Sequence, residues 1–140
     1  METNKNIALM LDQVHASTLL GKKADSNLSV HGLSFTEFNI MHKLHKSPGG
    51  ALSRIALADS IGLTASGITR LLAPMTKNNI VLKTVNARDA RQSMVALTET
   101  GKGLYTDALV SFEYTCSSAF SLLDEPEINQ LLTLLNKIKC

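Results

Sequence analysis

A single glycine, Gly62, separates two stretches whose apolar residues recur at helical spacing. The stretch before it predicts a helix over residues 52–60, with Ile55, Ala58 and the following Ile61 facing inward. Glycine adopts a left-handed backbone at little cost, so Gly62 is suited to a sharp turn. Because the next helical stretch begins only a few residues later, the two predicted helices form a helix-turn-helix.

The second helix of this pair is predicted to follow Thr64 as its N-cap and to have two unlike faces. With successive residues placed about 100° apart, one face is an apolar stripe directed at the core: Ile68, Leu71, Leu72 and Met75. The opposite face is small, polar or cationic: Ser66, Arg70, Ala73 and Lys77, with Thr69 on the flank. It contains no acidic residue, whereas a solvated helix face normally mixes Glu with Lys. The helix is expected to bend at Pro74 and to end at Asn78-Asn79.

Two strand-like runs follow, at residues 80–85 and 93–98, on either side of a polar tip. They predict a β-hairpin, and a hairpin directly after a helix-turn-helix makes a winged helix. In such a fold the second helix fits the DNA major groove, and the hairpin tip reaches the backbone or the minor groove. The tip carries Arg88 and Arg91, with Asp89 expected to pair locally with an arginine and hold the tip in shape. Solvated arginines in a mobile loop are the alternative.

The net charge of +2 is unevenly distributed. Residues 51–102 contain seven basic and three acidic residues, a local excess of +4, so the rest of the chain sums to −2. A basic middle between mildly acidic ends predicts an anionic partner for the middle segment. Uneven sampling of surface charge remains the alternative.

The flanking segments predict further helices with wide apolar stripes. The first extends from about residue 7 to 28, and a second begins at Phe35 after the capping box Ser34-x-x-Glu37. Thr98 is expected to cap a long fifth helix, and Pro126 stands early in a sixth. These stripes exceed what the core of a winged helix needs, so they must cover one another or a partner chain.

Length and composition predict one globular domain over residues 1–140. The longest apolar run, residues 7–11, is far shorter than the roughly 20 residues of a membrane span or the 7–15 of a signal peptide core. We therefore expect no membrane partner. Two cysteines, Cys116 and Cys140, do not form a disulfide framework in a chain of this size, which favours the cytoplasm.

Four segments resemble the MarR family of transcriptional regulators. Residues 57–64, LADSIGLT, look like the family's helix-turn-helix turn, and residues 68–72, ITRLL, resemble its recognition helix. Residues 88–91, RDAR, are similar to the D-x-R wing, and residues 97–101, LTETG, are similar to the start of the next helix. The matches keep the family's order and spacing and cover about residues 33–104.

The resemblance implies a mainly α fold with a small β-hairpin: a winged helix-turn-helix at 33–98 and N- and C-terminal dimerisation helices at 5–28 and 99–139. It implies a homodimer that binds double-stranded DNA, most simply as a ligand-responsive repressor on a pseudo-palindromic operator. Residue by residue, the predicted DNA-binding set is Thr64, Ser66, Thr69, Arg70, Lys77, Arg88 and Arg91, with Arg91 in the minor groove. Two residues depart from the family pattern, because Asn79 replaces a common Gly and Lys83 replaces a frequent Arg.

Other functions have weaker signals. His42 and His45 lie at i, i+3, but no H-x-x-x-H or C-x-x-C supports a metal site, and we expect none. Cys116 is predicted to be buried and Cys140 exposed, and the sequence assigns a redox role to neither. No nucleophile-elbow, P-loop or dinucleotide-binding pattern is present, so neither an enzyme nor a cofactor is expected.

The resemblance also implies a small effector, often an aromatic anion, with no pocket residue identifiable from the sequence. A winged helix that docks another protein is the alternative function. That alternative would favour exposed aromatic anchors, and residues 64–92 contain no Phe, Tyr or Trp.

Overall fold

The computed structural model describes residues 4–86, 88–89 and 91–139. Cys140 and its predicted exposure therefore lie outside the described residues. Six α-helices and three strands follow one another along the chain: α1 Lys5–Leu28, α2 Phe35–Lys46, β1 Ala51–Ser53, α3 Arg54–Ile61, α4 Ala65–Lys77, β2 Val81–Val85, β3 Ser93–Leu97, α5 Glu99–Ala119 and α6 Glu125–Lys139. The predicted fold class, a mainly helical winged helix-turn-helix with a β-hairpin, is confirmed.

The sheet has one more strand than predicted. β3 lies in the middle, paired antiparallel with β2 and also with β1, where Leu52 stands opposite Val95. Residues 52 and 53 were predicted to belong to the third helix, but α3 begins at Arg54. Ser53 caps it, because its Oγ accepts the N–H of Ala56 at 3.1 Å.

The inward side of α3 agrees with the prediction at Ala58, which is buried, and at Ile61, which packs partly buried against the core, but not at Ile55. Leu57 and Ala58 are buried, whereas Ile55 is 70% exposed. The prediction that Ile55 faces inward is therefore wrong. The adjacent pair Leu57 and Ala58 takes the inward side of the helix, and Ile55 lies about 200° from Leu57, on the outer side.

Predicted caps position the remaining helices. At the start of α2 the Oγ of Ser34 accepts the N–H of Glu37 at 3.1 Å, and a Glu37 carboxylate oxygen accepts the N–H of Ser34 at 2.9 Å. Thr98 caps α5, since its Oγ1 accepts the N–H of Gly101 at 2.9 Å. α2 buries Phe38, Met41 and Leu44 at the centre of the winged-helix core.

The outer helices present apolar residues that the chain itself does not cover. α6 buries none of its residues, and its stripe is exposed at Leu131, Leu132 and Ile138. α1 likewise exposes Ile7 and Leu11. Within the described residues no single helix has the length and apolar composition of a membrane span. α3 and α4 reach that length and composition only when they are counted together, and the chain bends by 106° between them.

Candidate nucleic-acid interface

The turn between α3 and α4 fixes where the second helix begins. Gly62 adopts φ 82°, the left-handed conformation for which glycine is suited, and its N–H donates to the carbonyl of Ala58 at 2.9 Å. Thr64 is the N-cap of α4, because its Oγ1 accepts the N–H of Gly67 at 3.0 Å. The same hydroxyl lies 3.2 Å from the Oγ of Ser66. The helix-turn-helix therefore has the local chemistry that the sequence predicts.

α4 divides into the two faces expected of it. Ile68, Leu72 and Met75 are buried, and Leu71 packs against the core. The opposite face is exposed throughout: Ser66, Thr69, Arg70, Ala73 and Lys77. The result is a continuous surface of hydroxyls, one small side chain and two cations, with no carboxylate on the helix itself.

The end of α4 is tied to the wing. Asn79 adopts φ 60°, the left-handed conformation in which Asn is the usual substitute for Gly. The Thr98 Oγ1 donates to the Asn79 carbonyl at 2.6 Å, and the Thr98 N–H donates to the Ile80 carbonyl at 3.0 Å. Thr98 thereby joins the end of α4 to both sides of the hairpin.

The wing is a five-residue antiparallel pairing of β2 with β3, from Val81 opposite Leu97 to Val85 opposite Ser93. At its tip the Asp89 Oδ1 accepts the backbone N–H of Arg91 at 3.0 Å and lies 3.4 Å from the Arg91 Nε. The Arg91 side chain is 93% exposed, and Arg88 is exposed as well. Asp89 thus pairs with the arginine as expected, while the guanidinium remains open to solvent.

The structure adds a residue that the sequence did not single out for this surface. Arg54, the first residue of α3, extends its Nη1 to 3.5 Å from the Oγ1 of Thr69 on α4. Its Nε is buried and has no hydrogen-bond partner among the described atoms. No local pattern could have revealed this contact, because it joins residues 15 apart across the helix-turn-helix. The roles of the predicted DNA-binding residues stay predictions.

The histidines that suggested a metal site pack against a tyrosine. The Nδ1 of His42 lies 2.7 Å from the hydroxyl of Tyr105, and the His45 ring centroid lies 4.6 Å from that of Tyr105. Burial, followed by the charges of Lys46 and Lys43, lowers the pKa of His42. Burial, with a smaller effect of the Glu113 charge, raises the pKa of Tyr105. Among the described residues, no three His, Cys, Asp or Glu side chains form a group able to hold a metal ion.

Two of the cavities that lie away from the helix-turn-helix are lined mostly by apolar side chains. One of about 390 Å³ separates α1 from α6 and is lined by Leu20, Phe120 and Leu132. The other, of about 240 Å³, lies between α1, α5 and the start of α2, where it is lined by Phe35 and Cys116. Burial, with a smaller effect of the Glu113 charge, raises the pKa of the Cys116 thiol and disfavours the reactive thiolate.

The chain is similar in sequence and in fold to known transcriptional regulators. The chain is 23% identical over 136 residues to the HTH-type transcriptional regulator MhqR of Bacillus subtilis, covering 97% of this chain and 92% of the relative. It superposes with a TM-score of 0.88 and 21% identity on Sco3205, a MarR family transcriptional regulator from Streptomyces coelicolor in complex with DNA, covering 99% and 92% of the two chains.

A second solved structure is similar to this chain. CouR from Rhodococcus jostii RHA1, bound to p-coumaroyl-CoA, superposes with a TM-score of 0.84 and 21% identity, covering 94% of this chain and 90% of that one. No family model matches the chain. The superpositions establish the fold, and the resemblance indicated by the four motifs is confirmed.

Proposed function

We propose that this chain, which has the fold of the MarR-family transcriptional regulators, binds double-stranded DNA as a homodimer and regulates transcription. The single domain spans residues 1–140, with the DNA-binding part at 33–98 and dimerisation helices at 5–28 and 99–139. Repression of transcription is the simplest outcome, because a dimer that occupies an operator excludes other proteins from it. Binding to the chromosome puts the protein in the cytoplasm.

The exposed face of α4 is the main observation that supports DNA binding. It presents Ser66, Thr69, Arg70 and Lys77 without a carboxylate, and the neighbouring wing adds Arg88 and Arg91. Hydroxyls and cations are the groups that contact phosphates and base edges, and an α-helix fits the major groove. The relatives named above include one whose solved structure contains DNA.

The uncovered outer helices support the dimer. An isolated 15-residue helix such as α6 is marginal in water, and here it would expose a leucine-rich stripe as well. A second chain whose own α1 and α6 are equally exposed offers a self-complementary cover. Such a dimer presents two copies of α4, and two half-sites about one helical turn apart match two recognition helices.

We also propose that a small ligand regulates DNA binding. The cavity between α1, α5 and the start of α2 connects the outer helices with the winged-helix core, so an apolar or aromatic effector there touches both parts. Such a ligand changes DNA affinity only if it binds one arrangement of the two parts more tightly than the other. The similar protein CouR binds an aromatic thioester, p-coumaroyl-CoA.

The proposal is tested by selecting fragments of the source genome with the purified full chain. We expect enrichment of a few segments, with two protected half-sites spaced by about 10 base pairs. Affinity for an enriched fragment should fall steeply with added salt, because basic side chains release counterions from the phosphates. Equal recovery of all fragments at low ionic strength, or an affinity independent of salt, would contradict it.

A further inference from the structure

Thr69 differs from the other threonines that have a full helical turn before them. In the described residues, Thr18, Thr76, Thr106, Thr115 and Thr133 each donate their hydroxyl to the carbonyl four residues earlier, at 2.8–3.0 Å. This back-bond is the common arrangement of a mid-helix threonine. Among the interactions of the described residues, Thr69 makes no such bond, although Ala65 precedes it by four residues in α4.

The Thr69 hydroxyl instead contacts Arg54. A guanidinium has only donors, so at the 3.5 Å contact the Thr69 oxygen accepts and Arg54 donates. Thr69 is exposed on the proposed DNA-facing side of α4, and its hydroxyl donates no hydrogen bond to the described residues. A hydroxyl that accepts from a cation is also polarised toward donating its own proton.

The charge of Arg54 has no carboxylate to offset it. In the part of the chain that the structure describes, the ion pairs are Arg91–Asp89 and Lys102–Glu99. The Nε of Arg54 is buried without a hydrogen-bond partner among the described atoms, and the Nη1 of the same guanidinium reaches α4. Arg54 therefore places a positive charge next to the Thr69 hydroxyl, 3.5 Å from its oxygen.

We propose that Arg54 is a positioning residue that makes Thr69 a hydrogen-bond donor to one base edge, so that the pair determines sequence preference at that base pair. This inference rests on the proposed DNA-binding function. In the major groove the matching acceptors are the N7 and O6 of guanine, the O4 of thymine and the N7 of adenine. The nearby positive charge disfavours the amino groups of cytosine and adenine, which are donors.

The test uses an enriched genomic fragment and a panel of duplexes that differ from it by one base pair each. Thr69→Val keeps the side-chain shape and removes the hydroxyl, and Arg54→Met keeps most of the apolar stem and removes the guanidinium. Preference is the ratio of the dissociation constants of the substituted and the original duplex. We expect each variant to lower this ratio about three- to tenfold at the same base pair, the loss expected for one net hydrogen bond. Thr69→Ser retains the hydroxyl and should retain the preference.

The double variant and a charge control separate positioning from simple phosphate attraction. If Arg54 acts through Thr69, the double variant loses no more preference than the larger single loss. Lys102→Met removes a cation from α5 and should leave the preference at that base pair unchanged. Circular dichroism melting confirms that each variant is folded.

Two results would overturn the inference. One is an Arg54→Met variant that binds every duplex more weakly by the same factor, because Arg54 would then contact only phosphates. The other is a Thr69→Val variant with an unchanged preference. If the wild-type chain prefers no duplex at all, the proposed function itself fails, and that outcome is seen before any variant is made.

Discussion

At the scale of single residues, Gly101 marks where α5 approaches the start of the wing. A Cβ built on Gly101 would lie 2.1 Å from the carbonyl oxygen of Ile80, a backbone atom that has no rotamer through which to move away. On the same helix, a Cβ on Gly103 meets nothing within 4 Å. The glycine of the LTETG segment is thus required by a close approach of two backbones rather than by a turn.

This contrast predicts opposite effects of one substitution at two positions. Gly101→Ala should lower the free energy of unfolding by about 1–3 kcal/mol or more, because a packed backbone must shift. Gly103→Ala should raise it by up to about 1 kcal/mol, since alanine is the better helix former. Chemical denaturation of both variants measures the difference. Equal stabilities would show that α5 and the Ile80 carbonyl are not in contact.

His42 gives a prediction about pH. Its pKa is lowered in the folded chain, so as the pH falls the unfolded chain takes up this proton first. The neutral His42 ring therefore makes its full contribution to the free energy of unfolding above about pH 6.5, the ordinary pKa of histidine. This contribution decreases as the pH falls below that value. His42→Gln should weaken the pH dependence of the unfolding free energy below about pH 6.5. An unchanged pH dependence would show that His42 titrates alike in both states.

At the scale of elements, the sequence predicts those that carry their own local signals. The capping box at Ser34 and the N-cap at Thr64 mark where α2 and α4 begin, and both are found. β1 has no such signal, because three residues show no period and become a strand only by pairing with β3, over 40 residues later. The prediction for Ile55 is wrong because its spacing of three from Ala58 indicates an inward stripe, whereas burial centres on Leu57 and Ala58. The Arg54–Thr69 contact is likewise a product of packing, not of spacing.

The wing tip predicts a difference between two substitutions of Asp89. Asp89→Asn keeps an oxygen that accepts the Arg91 N–H and removes a negative charge beside DNA, so it should bind DNA at least as tightly as the wild type. Asp89→Ala loses the acceptor and should bind several-fold more weakly, because Arg91 is no longer oriented. Titration of both variants with an enriched fragment checks this. Identical affinities of the two variants would mean that the contact with Arg91 does not matter.

At the scale of the whole molecule, the uncovered stripe of α6 predicts where the dimer forms. Leu131→Glu would bury a charge in the interface, so it should raise the dimer dissociation constant at least about tenfold. Ile55→Glu is the matched control, since Ile55 is an exposed apolar residue on α3, in the DNA-binding part. Sedimentation velocity over a range of concentrations compares the two variants. A Leu131→Glu variant that remains as dimeric as the wild type would place the interface elsewhere.

The most direct test of the central claim compares two dissociation constants of one variant. The outer face of α4 is the proposed DNA-reading surface, and Arg70 is exposed at its centre. Arg70→Ala should cost about 1–3 kcal/mol on an enriched genomic duplex and much less on a random duplex of the same length, so the ratio of the two constants falls toward one. If this variant binds both duplexes as the wild type does, the face of α4 does not read DNA.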